Sequence, residues 1–260
     1  MKLSYSNIAW NPEQDLEMYE FLQKQGFTGL EIAPTRLFPD NPYDSLNSAR
    51  EIAETLKNKY GLSVSSMQSI WYGKSESIFG SDDEKRILVE YTKKAIDFAA
   101  VISCKNLVFG CPKNRNMPES GDVKAAEEFF FEIASYAVQQ GTVIALEPNP
   151  PIYGTNFINF TKEAFEFAKR IDGLAVNVDF GTIIENNENL QIIAAHLDLV
   201  NHVHISEPYL ERIVERDLHK ELCDILKSGN YNEFVSVEMK NLGDIDIVKK
   251  TAEYVRRVFG

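Results

Sequence analysis

The chain is poor in cysteine: three residues, Cys104, Cys111 and Cys223, with no Cys-x-x-Cys among them. An odd, scattered set argues against a disulfide framework and reads as a reducing compartment. Histidine is almost as scarce, only His196, His202, His204 and His219. Long apolar runs are missing too. None approaches the roughly 20 residues of a membrane span, and Met1-Lys2-Leu3-Ser4-Tyr5 lacks a signal-peptide core. The expectation is a cytoplasmic protein with no membrane partner. Positive charge is short, with 27 Lys and Arg against 39 Asp and Glu and a net charge of −12. An acidic surface repels a phosphate backbone, so no nucleic-acid partner is expected. The nearest thing to a basic patch, Lys113-Asn114-Arg115, is short and reads as a solvated loop tip. There is no Gly-rich phosphate loop, no low-complexity stretch and no linker.

What is present is an ample apolar fraction, 44% of 260 residues, at a length usual for single α/β barrels of about 250 residues. Strand-like runs near Leu3–Ala9, Thr28–Ala33, Ser63–Gln68 and Lys105–Gly110 alternate with helical patterns. Four more follow: Val143–Glu147, Ala175–Asp179, Val200–His204 and Phe234–Glu238. Asn11-Pro12 reads as a helix cap with proline at the first helical position. Ser81 with Glu84 reads as a capping box before a helix from about Asp82 to Ala100. Thr161 reads as the cap of a helix to about Arg170, and a last helix runs from about Ile245 to Val258. Eight strand–helix units use up residues 1–260 as a single domain, an α/β fold of (β/α)8 TIM barrel type. Helix-to-strand turns are tight and marked by Gly26, Gly61, Gly141, Gly173 and Gly229. Strand-to-helix loops 34–44, 69–80, 111–121 and 148–160 are long. Long loops at the C-terminal ends of barrel strands usually carry the site.

The last four runs share a second pattern. Side chains alternate faces along a strand. One face carries Ile144 and Leu146, Val176 and Val178, Val203 and Ile205, Val235 and Val237. The other carries Ala145, Asn177, His202 and Ser236 and ends on Glu147, Asp179, His204 and Glu238. Consecutive strands that pack helices outside and converge on one ion inside would show this. Three carboxylates and an imidazole suit one divalent ion, Mn²⁺, Mg²⁺ or Co²⁺, with Zn²⁺ also compatible. Without a cation the carboxylates would repel one another. An ion bridging two vicinal substrate oxygens polarises a carbonyl and stabilises an ene-diolate, while flanking carboxylates move a proton on and off the adjacent carbon. Asn177 and His202, one layer deeper, would orient a ligand rather than bind. Trp10, Glu31, Gln68, Asn149, Glu207 and Arg212 are candidate substrate-binding residues at or beyond strand ends. Trp71, Tyr72, Tyr153 and Asn156 are further candidates for the pocket wall.

Gly29-Leu30-Glu31, Ala145-Leu146-Glu147-Pro148-Asn149, Asn177-Val178-Asp179-Phe180-Gly181, His202-Val203-His204-Ile205-Ser206-Glu207 and Val237-Glu238 together resemble the xylose isomerase-like barrel superfamily. Within it they are most similar to the sugar phosphate isomerase/epimerase group, which also contains inosose dehydratases and abasic-site (AP endonuclease family 2) repair enzymes. The resemblance implies a metal held by Glu147, Asp179, His204 and Glu238, with Glu147 and Glu238 as the acid–base pair on opposite faces of the substrate. Two departures qualify it. Thr182 stands where the family often has a histidine, three residues after the strand-six Asp, which removes an expected substrate contact of ketose 3-epimerases. The ends of strands three and four offer Gln68 and Cys111, so the repair enzymes' three-metal cluster has no ligands here. The expected function is metal-dependent isomerisation or epimerisation of a small polyhydroxylated carbonyl compound, a sugar or polyol. A dehydratase or lyase on a keto-polyol or keto-glycoside remains open, as does a homo-oligomeric state. The intact ligand set argues against a non-catalytic sugar-binding barrel.

Overall fold

Eight strand-like runs become eight parallel strands that close in chain order, β8 pairing back onto β1, in a computed structural model describing all residues Met1–Gly260. The strands are β1 (Lys2–Ser6), β2 (Gly29–Ile32), β3 (Ser63–Met67), β4 (Leu107–Phe109), β5 (Ile144–Leu146), β6 (Leu174–Asp179), β7 (Val200–Ile205) and β8 (Phe234–Val237). The helices are α1 (Asp15–Lys24), α2 (Pro34–Leu37), α3 (Leu46–Tyr60), α4 (Asp82–Val101), α5 (Val123–Gln139), α6 (Thr161–Ala168), α7 (Phe180–Asn186), α8 (Gln191–Ala194), α9 (Asp217–Ser228) and α10 (Ile245–Phe259). This is a (β/α)8 TIM barrel. No helix is long and apolar enough to cross a membrane.

The two-faced strands account for the closure. Ile144, Leu146, Val176, Val178, Val203, Ile205, Val235 and Val237 are all completely buried under the helical layer, each contributing about 1.5–3 kcal/mol as an aliphatic side chain removed from water. The inner layer is small and polar. Ser4 bonds Ser65 at 2.6 Å and Asn106 donates to Ser66 at 2.9 Å. Register decides what faces the mouth. Between Val176 and Asn177 the β6–β7 pairing slips by one residue, so that Asn177 pairs with His202 and Asp179 with His204.

Local signals fare unevenly. The Ser81–Glu84 capping box forms, with Glu84 N–H donating to Ser81 Oγ and Ser81 N–H to Glu84 Oε2. Asn11 and Pro12 open a short 3-10 turn, and α1 follows it at Asp15. Thr161 is not the cap of α6 but its first residue. Phe160 holds the cap position, and its N–H is taken by Glu163 Oε2 at 3.1 Å. β1 stops at Ser6 because residues 7–9 turn and Asn7 Oδ1 accepts the Ala33 N–H at 3.0 Å. Four of the five marked glycines take left-handed backbone, φ +69° to +83°. Gly229 does not. Asn230 makes that step, while a Cβ on Gly229 would lie 2.0 Å from Leu197 Cδ2 and would have to push that side chain aside.

Candidate metal centre and substrate cavity

Glu147 directly follows β5, Asp179 ends β6, His204 lies in β7 and Glu238 directly follows β8. One donor atom from each lies within 4.8 Å of all the others, and all four residues are buried. The two glutamates leave their strands without leaving the barrel wall, because their backbone N–H groups still bond the neighbouring strand, Glu147 to Phe109 O and Glu238 to Ile205 O, both at 3.0 Å.

His204 is the hub. Its Nδ1 lies 3.0 Å from Glu147 Oε1, 3.1 Å from Glu238 Oε2 and 3.2 Å from Asn177 Nδ2. Its Nε2 lies 2.8 Å from Glu31 Oε2. Glu31 is entirely buried. Burial alone would raise its carboxyl, but His204 and His202 outweigh burial and hold it well below the usual range. A carboxylate on one ring nitrogen turns the other nitrogen toward a ligand site. Nδ1 has one in-plane direction, yet two carboxylates converge on it. A single proton can serve one of them fully, whereas a cation among the four donors serves all. The donor set fits a hard divalent ion on this ground.

The electrostatics point the same way. Burial, reinforced by Glu147, pushes Asp179 up to about 6. Burial pushes Glu238 up to about 7 against the pull of His204. Burial opposes charging His204, but Glu238, Glu31 and Glu147 outweigh it and hold the imidazole well above its ordinary value. Clustered buried carboxylates raise one another in this way when only a histidine proton neutralises them.

Asp179 is also the cap of α7. Thr182 N–H donates to its Oδ2 at 2.7 Å, Ser206 Oγ donates to its Oδ1, and the Thr182 hydroxyl lies 2.8 Å from Oδ2. Thr182 is wholly buried. It steadies Asp179 from below and offers nothing to a substrate. Asn177 donates to Glu147 Oε1 at 2.7 Å. His202 Nε2 lies 3.2 Å from Glu31 Oε2 without hydrogen-bond geometry, and burial pulls this ring's pKa down.

Above the four donors opens a cavity of about 200 Å³ whose lining includes Gln68, Asn149, Tyr153, Glu147, Asp179 and Glu238. Val108, Gly110, Cys111, Pro112, Ser69 and Leu210 complete it. A larger cleft of about 460 Å³ lies beside α3 and the end of α4 and is lined by none of the four donors. Of the residues expected to bind substrate, Gln68 and Asn149 reach the cavity. Trp10 does not. The turn after β1 folds it back against Tyr5, with ring centroids 5.6 Å apart, and its Nε1 donates to Asp15. Glu31 sits beneath His204 with no surface to offer. Glu207 is buried and paired with Arg216 at 2.6 Å. It holds the loop after β7, and Arg212 points to solvent. Trp71 is core, bonded to Thr92, while Tyr72 is exposed. Asn156 bonds Met117 and ties two loops together. Lys113-Asn114-Arg115 is not a solvated tip, since Asn114 is buried and Arg115 fully so. Arg115 and Gly110 carried no motif that could have marked them. Gly110 matters because a Cβ there would meet Glu147 Oε2 at 2.8 Å.

The fold is a closed parallel TIM barrel with a cluster of acidic residues and histidine at the C-terminal ends of its strands that could hold a metal ion. The chain belongs to the xylose isomerase-like TIM barrel family, whose model matches residues 19–258. It is similar to 3-dehydro-D-guloside 4-epimerase of Escherichia coli (strain K12), 26% identical over 255 residues and covering 92% of each chain. Among solved structures it resembles E. coli 3-keto-D-glucoside 4-epimerase, with TM-score 0.76, 22% identity and 99% of both chains covered. It also resembles the IolI protein with a bound zinc atom, with TM-score 0.72, 19% identity, and 100% of this chain and 95% of that one covered.

Proposed function

We propose that this chain is a divalent-metal-dependent epimerase of a neutral keto-glycoside, a sugar ring whose ketone adjoins the carbon that is inverted. The observation that carries this reading is that Glu147 and Glu238 line one cavity, each with a carboxylate oxygen close to His204 Nδ1, at 3.0 Å and 3.1 Å. The relative's action on a 3-dehydro-guloside supplies the substrate class, and the absence of any cationic side chain in the lining favours an uncharged sugar over a sugar phosphate. Glu147, Asp179, His204 and Glu238 would hold the ion, and a bound ion would supply a Lewis acid that polarises the ketone.

The chain's own residues then move the proton. One of the two glutamates takes the C–H proton beside the ketone, and the bond's electron pair passes to the carbonyl oxygen. The other glutamate, in its acid form, returns a proton to the same carbon from the opposite face, and the ketone is restored. The glutamates end with their protonation states exchanged, and exchange with solvent resets them. Tyr153, Val108 and Leu210 offer an apolar wall to the C–H face of a ring, and Gln68 and Asn149 offer amides to hydroxyls. The test is NMR of 3-keto-glycosides incubated with the protein loaded with Mn²⁺, Co²⁺, Zn²⁺ or Mg²⁺. Appearance of the C4 epimer is expected. An unsaturated product with loss of water would make the protein a dehydratase. Conversion of free ketoses alone would remove the glycoside reading.

Purified protein should hold one divalent ion per chain, and chelation should lower its melting temperature. An ion at 100 times its Kd adds about 2.7 kcal/mol to the native state. Binding must displace protons from His204 and from the raised Glu238 and Asp179. Affinity should therefore climb as pH rises through about 6 and about 7 and continue upward while His204 deprotonates. Elemental analysis with thermal melts across pH checks both, and a flat or inverted pH dependence would count against this ligand set. Gly110→Ala should weaken ion binding by about 10- to 100-fold, the range for groups that orient ligands, because its Cβ displaces Glu147. Wild-type affinity in a metal titration would show that Glu147 has room to move.

A further inference from the structure

Arg115 is fully buried and makes no salt bridge. Its Nη2 donates to Asn149 Oδ1 at 2.7 Å and, at the edge of bonding distance, to Ile158 O at 3.5 Å, while its Nε and Nη1 have no partner. Burying a guanidinium with so little compensation is costly. In a chain with 12 more acidic than basic residues an arginine held this way calls for a reason. Burial pulls its pKa down to about 10, with Cys111 and Glu147 acting in the opposite direction, so it stays charged at neutral pH.

Arginine has donors and no acceptor. Its contact therefore commits the Asn149 amide to one orientation, oxygen toward Arg115 and nitrogen away. Asn149 Nδ2 then meets Glu147 Oε2 at 3.2 Å. A flipped amide would set two donors against each other on one side and two acceptors on the other. The Asn149 backbone is pinned as well, its N–H to Ile158 O at 3.1 Å and its carbonyl by Asn159 Nδ2 at 2.8 Å. Glu147 is thus gripped by one amide on each oxygen, Asn177 on Oε1 and Asn149 on Oε2.

We infer that Arg115 is a positioning residue for Glu147, acting through the carboxamide of Asn149. The inference rests on the reading of Glu147 as metal ligand and acid–base group. It assigns Asn149 chiefly to Glu147, with contact to a sugar hydroxyl secondary.

The test is a double-mutant cycle read as Mn²⁺ affinity, with kcat and KM on a 3-keto-glycoside as a second measurement. Arg115→Met should weaken Mn²⁺ binding by about 10- to 100-fold and lower kcat with KM little changed. Arg115→Lys, which keeps the charge and one donor, should recover part of the loss. Arg115→Met combined with Asn149→Leu should be no worse than Asn149→Leu alone, since both cut the same link. Wild-type Mn²⁺ affinity in Arg115→Met, or strictly additive losses in the pair, would overturn the inference. If Arg115→Met yields no folded protein, Asn149→Leu decides. A loss of tenfold or more supports the link and unchanged affinity breaks it. A Glu147→Gln control separates the two levels. If that variant binds Mn²⁺ as wild type does, the metal-centre reading fails and this inference with it. If it loses the ion while Arg115→Met does not, only the inference about Arg115 fails.

Discussion

Glu147→Gln and Glu238→Gln should each lower epimerase turnover by about 10²–10⁴-fold, the usual contribution of a positioned acid or base. On the true substrate in deuterated water, the wild type should place deuterium on the inverted carbon. The two-base arrangement requires this, because a proton taken by one carboxylate is not the proton returned by the other. Both residues also belong to the donor cluster, so metal content has to be measured in each variant before a loss is assigned to proton transfer. A glutamine variant that binds the ion more weakly than wild type, but does not turn over even when saturated with it, would separate the two roles. Inversion with no deuterium incorporated would mean that one proton is carried across or that hydride moves, and the pair of glutamates would lose its function.

His204→Ala should abolish tight ion binding, whereas His202→Ala should weaken it by about tenfold at most, as expected for a group that touches only the residue behind a ligand. His204 puts Nδ1 among Glu147, Glu238 and Asn177 and Nε2 on Glu31. Its removal takes away one of the four proposed donors and leaves buried carboxylates without their counter-charge, a change of about 3–5 kcal/mol for a broken buried pair. The His204→Ala fold should therefore also melt earlier than wild type even in the presence of chelator. His202 stands one pleat deeper, its ring edge-on to His204 with centroids 5.3 Å apart. Metal titrations on both purified variants check the order. Equal losses, or a larger loss in His202→Ala, would mean that the ligand is the deeper histidine.

The two-residue period of the strands made much of this molecule legible from the chain alone. It separated Ile144, Val176, Val203 and Val235 from Ala145, Asn177, His202 and Ser236, and it set Glu147, Asp179, His204 and Glu238 at one end. Strand parity and closure in chain order bring those four together, and neither depends on the detailed path of any loop. Glu31 shows where this stops. It was visible as a polar residue near a strand end, but its place under His204, a partner 173 positions away, follows from the stagger of strands around the closed barrel.

The loops were least legible. Trp10, Glu207, Arg212 and Arg115 all lie just past strands, and nothing in their spacing distinguishes a side chain that lines the cavity from one that closes a turn. Glu207 found Arg216 because the loop after β7 doubles back. Arg115 was buried because the loops after β4 and β5 pack on each other, with Asn116 and Asn156 bonded across them. Periodic burial is a property of neighbours in sequence and is written into the chain. The cavity wall, the partner of each buried charge and the hand that steadies Glu147 arise between segments tens of residues apart, and only the closed barrel with its loops in place decides them.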